Sequence, residues 1–263
     1  MAKMTVADLQ QMKRDKKKIV AAMCHDYQMA LIADRAGADL ITVGDSVGGR
    51  FFGDASPFET TMDTMVLCCV GVTRAVQRAV VNCDMPFGPV QKGPATALDA
   101  AVRLLQEGHA DMVKVDAAAD NIEATRAICQ AGIPVWAQFG FTPQTSARFG
   151  GFTNITDEVR LQFKDTFVEQ AKMLEQAGVS LFDCTNMGNE LLGVITSAVD
   201  VPVIAGFNGG PNADGRVNVS YGVVGYSAAV IDKPVPGRAN VGKIIYDALT
   251  TQFEAIRNGT AAP

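Results

Sequence analysis

Histidine is scarce in this chain: His25 and His109 are alone among 263 residues, and none of the six cysteines falls in a C-x-x-C pair. That shortage excludes a zinc site built from the usual nitrogen and sulfur ligands. Cys24, Cys68, Cys69, Cys83, Cys129 and Cys184 lie inside apolar runs, so buried reduced thiols acting as small hydrophobes are expected. No run reaches the roughly 18 uncharged apolar residues of a membrane span. The opening Met1-Ala2-Lys3-Met4-Thr5 lacks an apolar stretch followed by a cleavage site, which predicts a cytoplasmic protein. Positive charge is not in surplus: the net charge is -5 and the pI near 5.1. The one basic cluster, Lys13, Arg14, Lys16, Lys17 and Lys18, is expected to be a solvated face before the first strand, and the charge balance argues against nucleic acid as a partner.

What is present is a globular composition, 48% hydrophobic and 19% charged, able to bury a sizeable core. The length suits one α/β barrel, which needs about 250 residues, so residues 1–263 are expected to form a single (β/α)8 TIM-barrel catalytic domain. Short β-branched runs alternate with segments of helical period. The strands are expected at Ile19–Cys24, Leu40–Gly44, Ala79–Cys83, Met112–Val115, Val135–Phe139, Leu181–Phe182, Val203–Ala205 and Gly222–Tyr226. Helices are expected over Tyr27–Ala36, Thr61–Gln77, Ala95–Glu107, Asn121–Gln130, Asp157–Gln176 and Val241–Ile256, with Gly37, Gly108, Gly132 and Gly178 where several of them stop. An open doubly wound sheet shares this alternation, but no G-x-G-x-x-G follows the first strand. Gly206-Phe207-Asn208-Gly209-Gly210 follows the seventh strand instead, where barrels often bind an anion.

A barrel places its active site at the C-terminal ends of its strands. There the chain has Asp45 and Ser46, Asp84, Lys114 and Asp116, Gln138, Asp183 and Asn208, one group after another around the rim. Any one such aspartate is commonly a cap or turn residue; their repetition over consecutive strands is harder to explain that way. Clustered carboxylates repel and raise each other's pKa, so four aspartates on one rim call for a cation. Oxygen ligands suit a hard ion such as Mg2+ better than zinc. Lys114 is read either as an interior counter-ion or as a clamp on a substrate carboxylate or enolate. His109 follows a helix on the opposite, stability-bearing face, whereas His25 ends strand one and could reach the site.

Taken together, Thr5-Val6-x-x-Leu9, Asp26-Tyr27, Val43-Gly44-Asp45-Ser46-Val47-Gly48, Asp84-Met85-Pro86-Phe87, Met112-Val113-Lys114, Gly140-Phe141-Thr142-Pro143-Gln144, Gly150-Gly151-Phe152 and Pro202-Val203-Ile204 resemble the ketopantoate hydroxymethyltransferase family. The likeness runs in order from Thr5 to Asn208. It implies a magnesium-dependent (β/α)8 barrel that moves a hydroxymethyl group from 5,10-methylenetetrahydrofolate to 3-methyl-2-oxobutanoate, in a wider group with phosphoenolpyruvate mutase and isocitrate lyase. It implies Asp45, Asp84 and Asp116 as the metal set, Asp116 supporting the other two, and Ser46 and Lys114 on the 2-oxo acid, with Asn208 expected to complete the substrate-binding set. It also implies a homo-oligomer, decameric in that family. The chemistry would be removal of the C3 proton, an enolate stabilised by a Lewis acid, and attack of that enolate on a one-carbon electrophile.

Two positions depart from the family: Asp183 stands where it has a glutamate base, and Gln138 where it has a histidine. Both Asn208-Gly209-Gly210 and Ser220-Tyr221-Gly222 differ as well. Because the metal-binding part is intact, the departures point to a changed 2-oxo acid rather than lost catalysis. The alternatives are a lyase or hydrolase cleaving a C–C or C–P bond of a 2-oxo acid, and a catalytically silent binding protein that kept the barrel. The Lys-Lys-Cys-Gly-His element of isocitrate lyases is absent.

Overall fold

The computed structural model describes residues 2–151, 155–207 and 209–261. Eight parallel strands close in sequence order into a barrel: β1 (Ile19–Met23), β2 (Leu40–Val43), β3 (Val80–Asp84), β4 (Met112–Val115), β5 (Val135–Gly140), β6 (Leu181–Thr185), β7 (Val203–Ala205) and β8 (Gly215–Val219). The (β/α)8 barrel expected from the alternation is what forms. The chain divides into two compact units, residues 1–217 and 218–263.

Period-two alternation divides the strand residues of the first unit between two cores. Ile19, Ala21, Leu40, Val80, Met112, Trp136, Leu181 and Ile204 fill one, inside the barrel. The residues between them in sequence, such as Val81, Val113, Ala137, Phe182 and Val203, belong to the larger core under the helices. Helix α1 (Val6–Arg14) packs fully buried Leu9 onto the inner core. Its start is held by a capping box between Thr5 and Asp8, a device worth about 1 kcal/mol. Of the basic cluster, Arg14, Lys16, Lys17 and Lys18 are exposed as expected, and only Lys13 is drawn in. Lys13 pairs with Asp214 at 3.0 Å and donates to the carbonyls of Thr196 and Val201, tying the chain entering the barrel to its far edge.

Three aspartates at the N-terminal ends of strands do purely structural work. Asp39, Asp111 and Asp214 each accept the backbone N–H of a neighbouring strand, from Val20, Val81 and Val203 respectively. Helices α2 (Tyr27–Arg35), α3 (Met62–Ala75), α4 (Pro94–Gln106) and α5 (Ile122–Gln130) lie where expected. The long helix expected over Asp157–Gln176 is broken at Phe163 into α6 (Asp157–Gln162) and α7 (Lys164–Gln176). Phe163 stacks on Phe167, and Phe167 meets Phe139 of β5 edge-on at 6.4 Å and Phe141 just beyond it at 5.2 Å, an aromatic cluster that seats α7 on β5. A further helix, α8 (Gly188–Ala198), links β6 to β7.

The eighth strand is not at Gly222–Tyr226. Those residues overlap a short helix, α9 (Ser220–Val224), ended by Gly225 at φ 66°. Their valines mimic a buried strand by composition but do not alternate. Val217, by contrast, packs on the inner core, and Gly215 lies so close to β1 that a Cβ there would stand 2.4 Å from the Ile19 carbonyl oxygen. In the second unit, Asn240 caps α10 (Val241–Arg257) by accepting from the Lys243 N–H, and Ile245, Leu249 and Phe253 of that helix are exposed. Among the described residues, no helix is long and apolar enough to cross a membrane. All six cysteines are free: Cys24, Cys69, Cys83 and Cys184 are buried, and Cys68 and Cys129 are partly so.

Candidate functional site

The alternation that builds the inner core also delivers the polar rim. One step beyond each core residue along the same strand face come Thr42 and Asn82, then Asp84, Lys114, Gln138 and Asp183. Lys114 lies at the centre, buried to 2% exposure. Its Nζ is 3.3 Å from Asp84 Oδ2 and 3.1 Å from Asp183 Oδ2, and sits 4.1 Å above the centre of the Trp136 ring. Burial works against the ammonium, but Asp84, Asp183 and Asp45 together outweigh it and hold the lysine charged, above its usual range.

Asp84 is fixed from behind. Its Oδ1 accepts from Thr42 Oγ1 at 2.8 Å and from Asn82 Nδ2 at 2.9 Å, leaving Oδ2 toward Lys114. Burial pushes its pKa up to about 6, with nearby Asp45 and Asp183 adding to the rise and Lys114 opposing it. Asp45, half-buried after β2, accepts from Gln144 Nε2 at 3.1 Å, and burial raises its pKa too. Asp116 is arranged differently. Its carboxylate accepts the backbone N–H of Ala117 and of Gln144, with burial lifting its pKa to about 7. Ala117 has φ 52°, a left-handed turn that brings its N–H back onto Asp116. Ser46, beside Asp45, contacts Met23 Sδ at 3.4 Å. Gln138 Nε2 donates to Thr185 Oγ1 at 2.9 Å, and Thr185 Oγ1 donates to Asp183 Oδ1 at 3.0 Å.

The structure thus brings Asp84, Lys114, Gln138 and Asp183 into one connected cluster, with Asp45 near enough to act on two of them electrostatically. Asn208 lies outside the described residues. The neighbouring glycines allow close packing, since a Cβ at Gly209 would strike Ala205 and one at Gly210 would strike Asn189. Thr42, Asn82, Trp136, Gln144 and Thr185 are members that reading only the last polar residue of each strand passes over. Four of them share the strand parity of residues that it finds.

The donor set suits a hard cation. Asp45 adds to the cost of ionising Asp84, Lys114 opposes it, and both carboxylates offer oxygen. Among the described residues no three of His, Cys, Asp and Glu gather into a complete metal cluster. Two carboxylates, with water and substrate filling the remaining positions, are what magnesium ordinarily takes from a protein.

His25 is buried just beyond β1, with its ring edge-on to Phe51, 5.6 Å between centroids. Burial first, then Arg50, lowers its pKa to about 4, against the pull of Asp26. An unfolded imidazole takes its proton near 6.5, so the stability owed to neutral His25 is complete above that pH and is lost as pH falls toward 4. In urea unfolding between pH 7 and pH 4, wild type is expected to lose about 3 kcal/mol more than His25→Gln. Parallel profiles for the two proteins would show that the ring is not held neutral. His109, exposed and at φ 60°, lies in the turn before β4, at the opposite end of the barrel from the rim.

Comparison with known proteins places this arrangement. The model of the ketopantoate hydroxymethyltransferase family matches residues 3–261. A 3-methyl-2-oxobutanoate hydroxymethyltransferase of Desulforapulum autotrophicum is 35% identical over 98% of this chain and 95% of its own length. One of Salinibacter ruber is 33% identical over 98% and 96%. Among solved structures, 2,3-dimethylmalate lyase, a PEP mutase/isocitrate lyase superfamily member, superposes with a TM-score of 0.62 at 14% identity, covering 98% of both chains. Phosphonopyruvate hydrolase in complex with oxalate and Mg2+ gives 0.62 at 12% identity, covering 98% of this chain and 89% of that one. Likeness at that identity speaks for the fold.

Proposed function

Because the chain belongs to the ketopantoate hydroxymethyltransferase family, we propose that it adds a hydroxymethyl group to C3 of 3-methyl-2-oxobutanoate or a closely related 2-oxo acid. The observation that carries the reading is the pairing of Lys114 with both Asp84 and Asp183 on one buried rim.

Lys114, held charged, meets the negative charge of a 2-oxo acid and of the enolate made from it, with Ser46 binding the carboxylate. Asp183 is the base: the C3–H bond breaks, its proton goes to Oδ2, and the electron pair moves into the C2–C3 bond as the C2 oxygen takes the charge. C3 then forms the new bond to the carbon of formaldehyde, which water releases from its folate carrier; the C=O π bond breaks, and the resulting alkoxide takes the proton held on Asp183 to become the hydroxymethyl group. Gln138, which does not titrate, offers hydrogen bonds to a substrate oxygen. Asp45 and Asp84 would hold a divalent cation, Mg2+ in the family, with Asp116 stiffening the rim beside them. That cation supplies Lewis acidity to the 2-oxo group. The one-carbon donor in this reading is 5,10-methylenetetrahydrofolate. The same reading makes the chain one catalytic domain, working in the cytoplasm as a homo-oligomer.

Proton NMR in D2O tests this directly, with Mg2+ and a panel of 2-oxo acids. Loss of the C3 proton of 3-methyl-2-oxobutanoate, abolished by EDTA and restored by Mg2+, is the expected result. Exchange confined to another 2-oxo acid keeps the mechanism and moves the substrate. No exchange with any member of the panel overturns the reading.

A further inference from the structure

A carboxylate that removes a proton from carbon must present one oxygen in one direction, because a misplacement of about 1 Å can cost on the order of 100-fold. We propose that Thr185 is the positioning residue that aims Asp183, and that Gln138 in turn fixes Thr185. The inference rests on the reading of Asp183 as the base.

The geometry supplies the chain of contacts. In the β5–β6 register Gln138 lies opposite Asp183, and Gly140 opposite Thr185. Asp183 and Thr185 are two residues apart on one strand and so share the inner face. All three polar residues are buried, Thr185 completely. Thr185 has one hydroxyl proton, and an ionised Asp183 can only accept it. With that proton committed to Asp183 Oδ1, the hydroxyl oxygen must accept from Gln138, so the amide has to present Nε2 rather than Oε1. Each donor in the sequence Gln138, Thr185, Asp183 is therefore determined by the next.

Gly206 is what leaves room for this brace. A Cβ at that position would lie 2.5 Å from Asp183 Oδ1 and 3.0 Å from Thr185 Oγ1. The glycine-rich turn after β7 therefore has a use in this site that needs no anion.

The consequence for the base is a division of labour between its two oxygens. Oδ1 is engaged by Thr185, while Oδ2, 3.1 Å from Lys114, is the oxygen left to face substrate. When Oδ2 takes the C3 proton, Oδ1 remains an acceptor, and the brace survives the transfer. Neither Thr185 nor Gln138 gains or loses a proton near neutrality, so the aim is kept across the working pH range.

The test is steady-state C3 proton exchange by Thr185→Val, Thr185→Ala and Thr185→Ser, each first shown folded by thermal unfolding. Valine keeps the shape and removes the hydroxyl; alanine covers the case in which valine does not fit. The valine and alanine variants are expected to lose 10- to 100-fold in kcat, on the order of a misaimed base, with KM within about twofold. Serine, which restores the donor, is expected to stay within about threefold of wild type. Wild-type kcat in the valine or alanine variant overturns the proposal, as does a serine variant as impaired as valine. A wild-type protein that exchanges no 2-oxo acid overturns the assignment of the base itself, and with it this one.

Discussion

Asp183→Asn is expected to reduce C3 proton exchange by about 1,000-fold or more while leaving the barrel intact and 2-oxo acid binding nearly unchanged. Asparagine has the shape of aspartate and can still accept from Thr185, so the brace and the strand register persist. What disappears is the only feature the reaction needs at that point, an oxygen that takes up a proton. The fold should tolerate the change, because Lys114 keeps Asp84 as partner and the site loses one of several clustered negative charges. Thermal unfolding within about 2 °C of wild type, together with the collapse in exchange, is the pattern to look for. An asparagine variant that exchanges at more than a tenth of the wild-type rate would remove Asp183 from the role of base.

The residues that make this pattern were legible in the sequence to different depths. The barrel could be read because β2 to β7 are buried on both sides almost throughout and appear as short apolar runs between helical segments. Asp84, Lys114, Gln138 and Asp183 could be read because they end such runs. Thr185 could not be reached by the same rule, since strand six was expected to stop at Phe182 and in fact continues to Thr185. Extending the inward parity of Leu181 and Asp183 by one step would have found it. Thr42 and Asn82 sit one step earlier on strands whose last polar residue drew attention first.

Two other features lay beyond pattern altogether. Gln144 reaches Asp45 from a loop, across 99 positions of sequence, and nothing local to it announces that contact. Strand eight was misplaced because Gly222-Val223-Val224 has strand composition, whereas the true strand is identified by close approach of Gly215 to β1, a tertiary fact. The three aspartates at the N-terminal rim make the complementary point. Asp39, Asp111 and Asp214 are the same residue type as those of the site, yet each is taken up by the backbone N–H of a neighbouring strand and by a basic side chain. An aspartate's function here follows from which end of the barrel it occupies and what is left for its oxygens to bind.

Lys114→Met carries the largest combined cost. The side chain sits between two carboxylates and over an indole, and methionine fills nearly the same length without charge. Removing one partner of a buried ion pair leaves the other uncompensated, a loss of about 3 kcal/mol or more. The variant is expected to melt roughly 5–10 °C below wild type and to show exchange at least about 1,000-fold slower, the enolate having lost its nearest cationic side chain. The double variant Lys114→Met with Asp183→Asn then separates the causes. If uncompensated charge is what destabilises the single variant, removing one of the stranded carboxylates should recover part of the lost melting temperature, although activity stays absent. A double variant no more stable than Lys114→Met would assign the loss to packing against Trp136 instead, and would mean that the lysine is held in the barrel by its aliphatic stem rather than by the aspartates on either side of it.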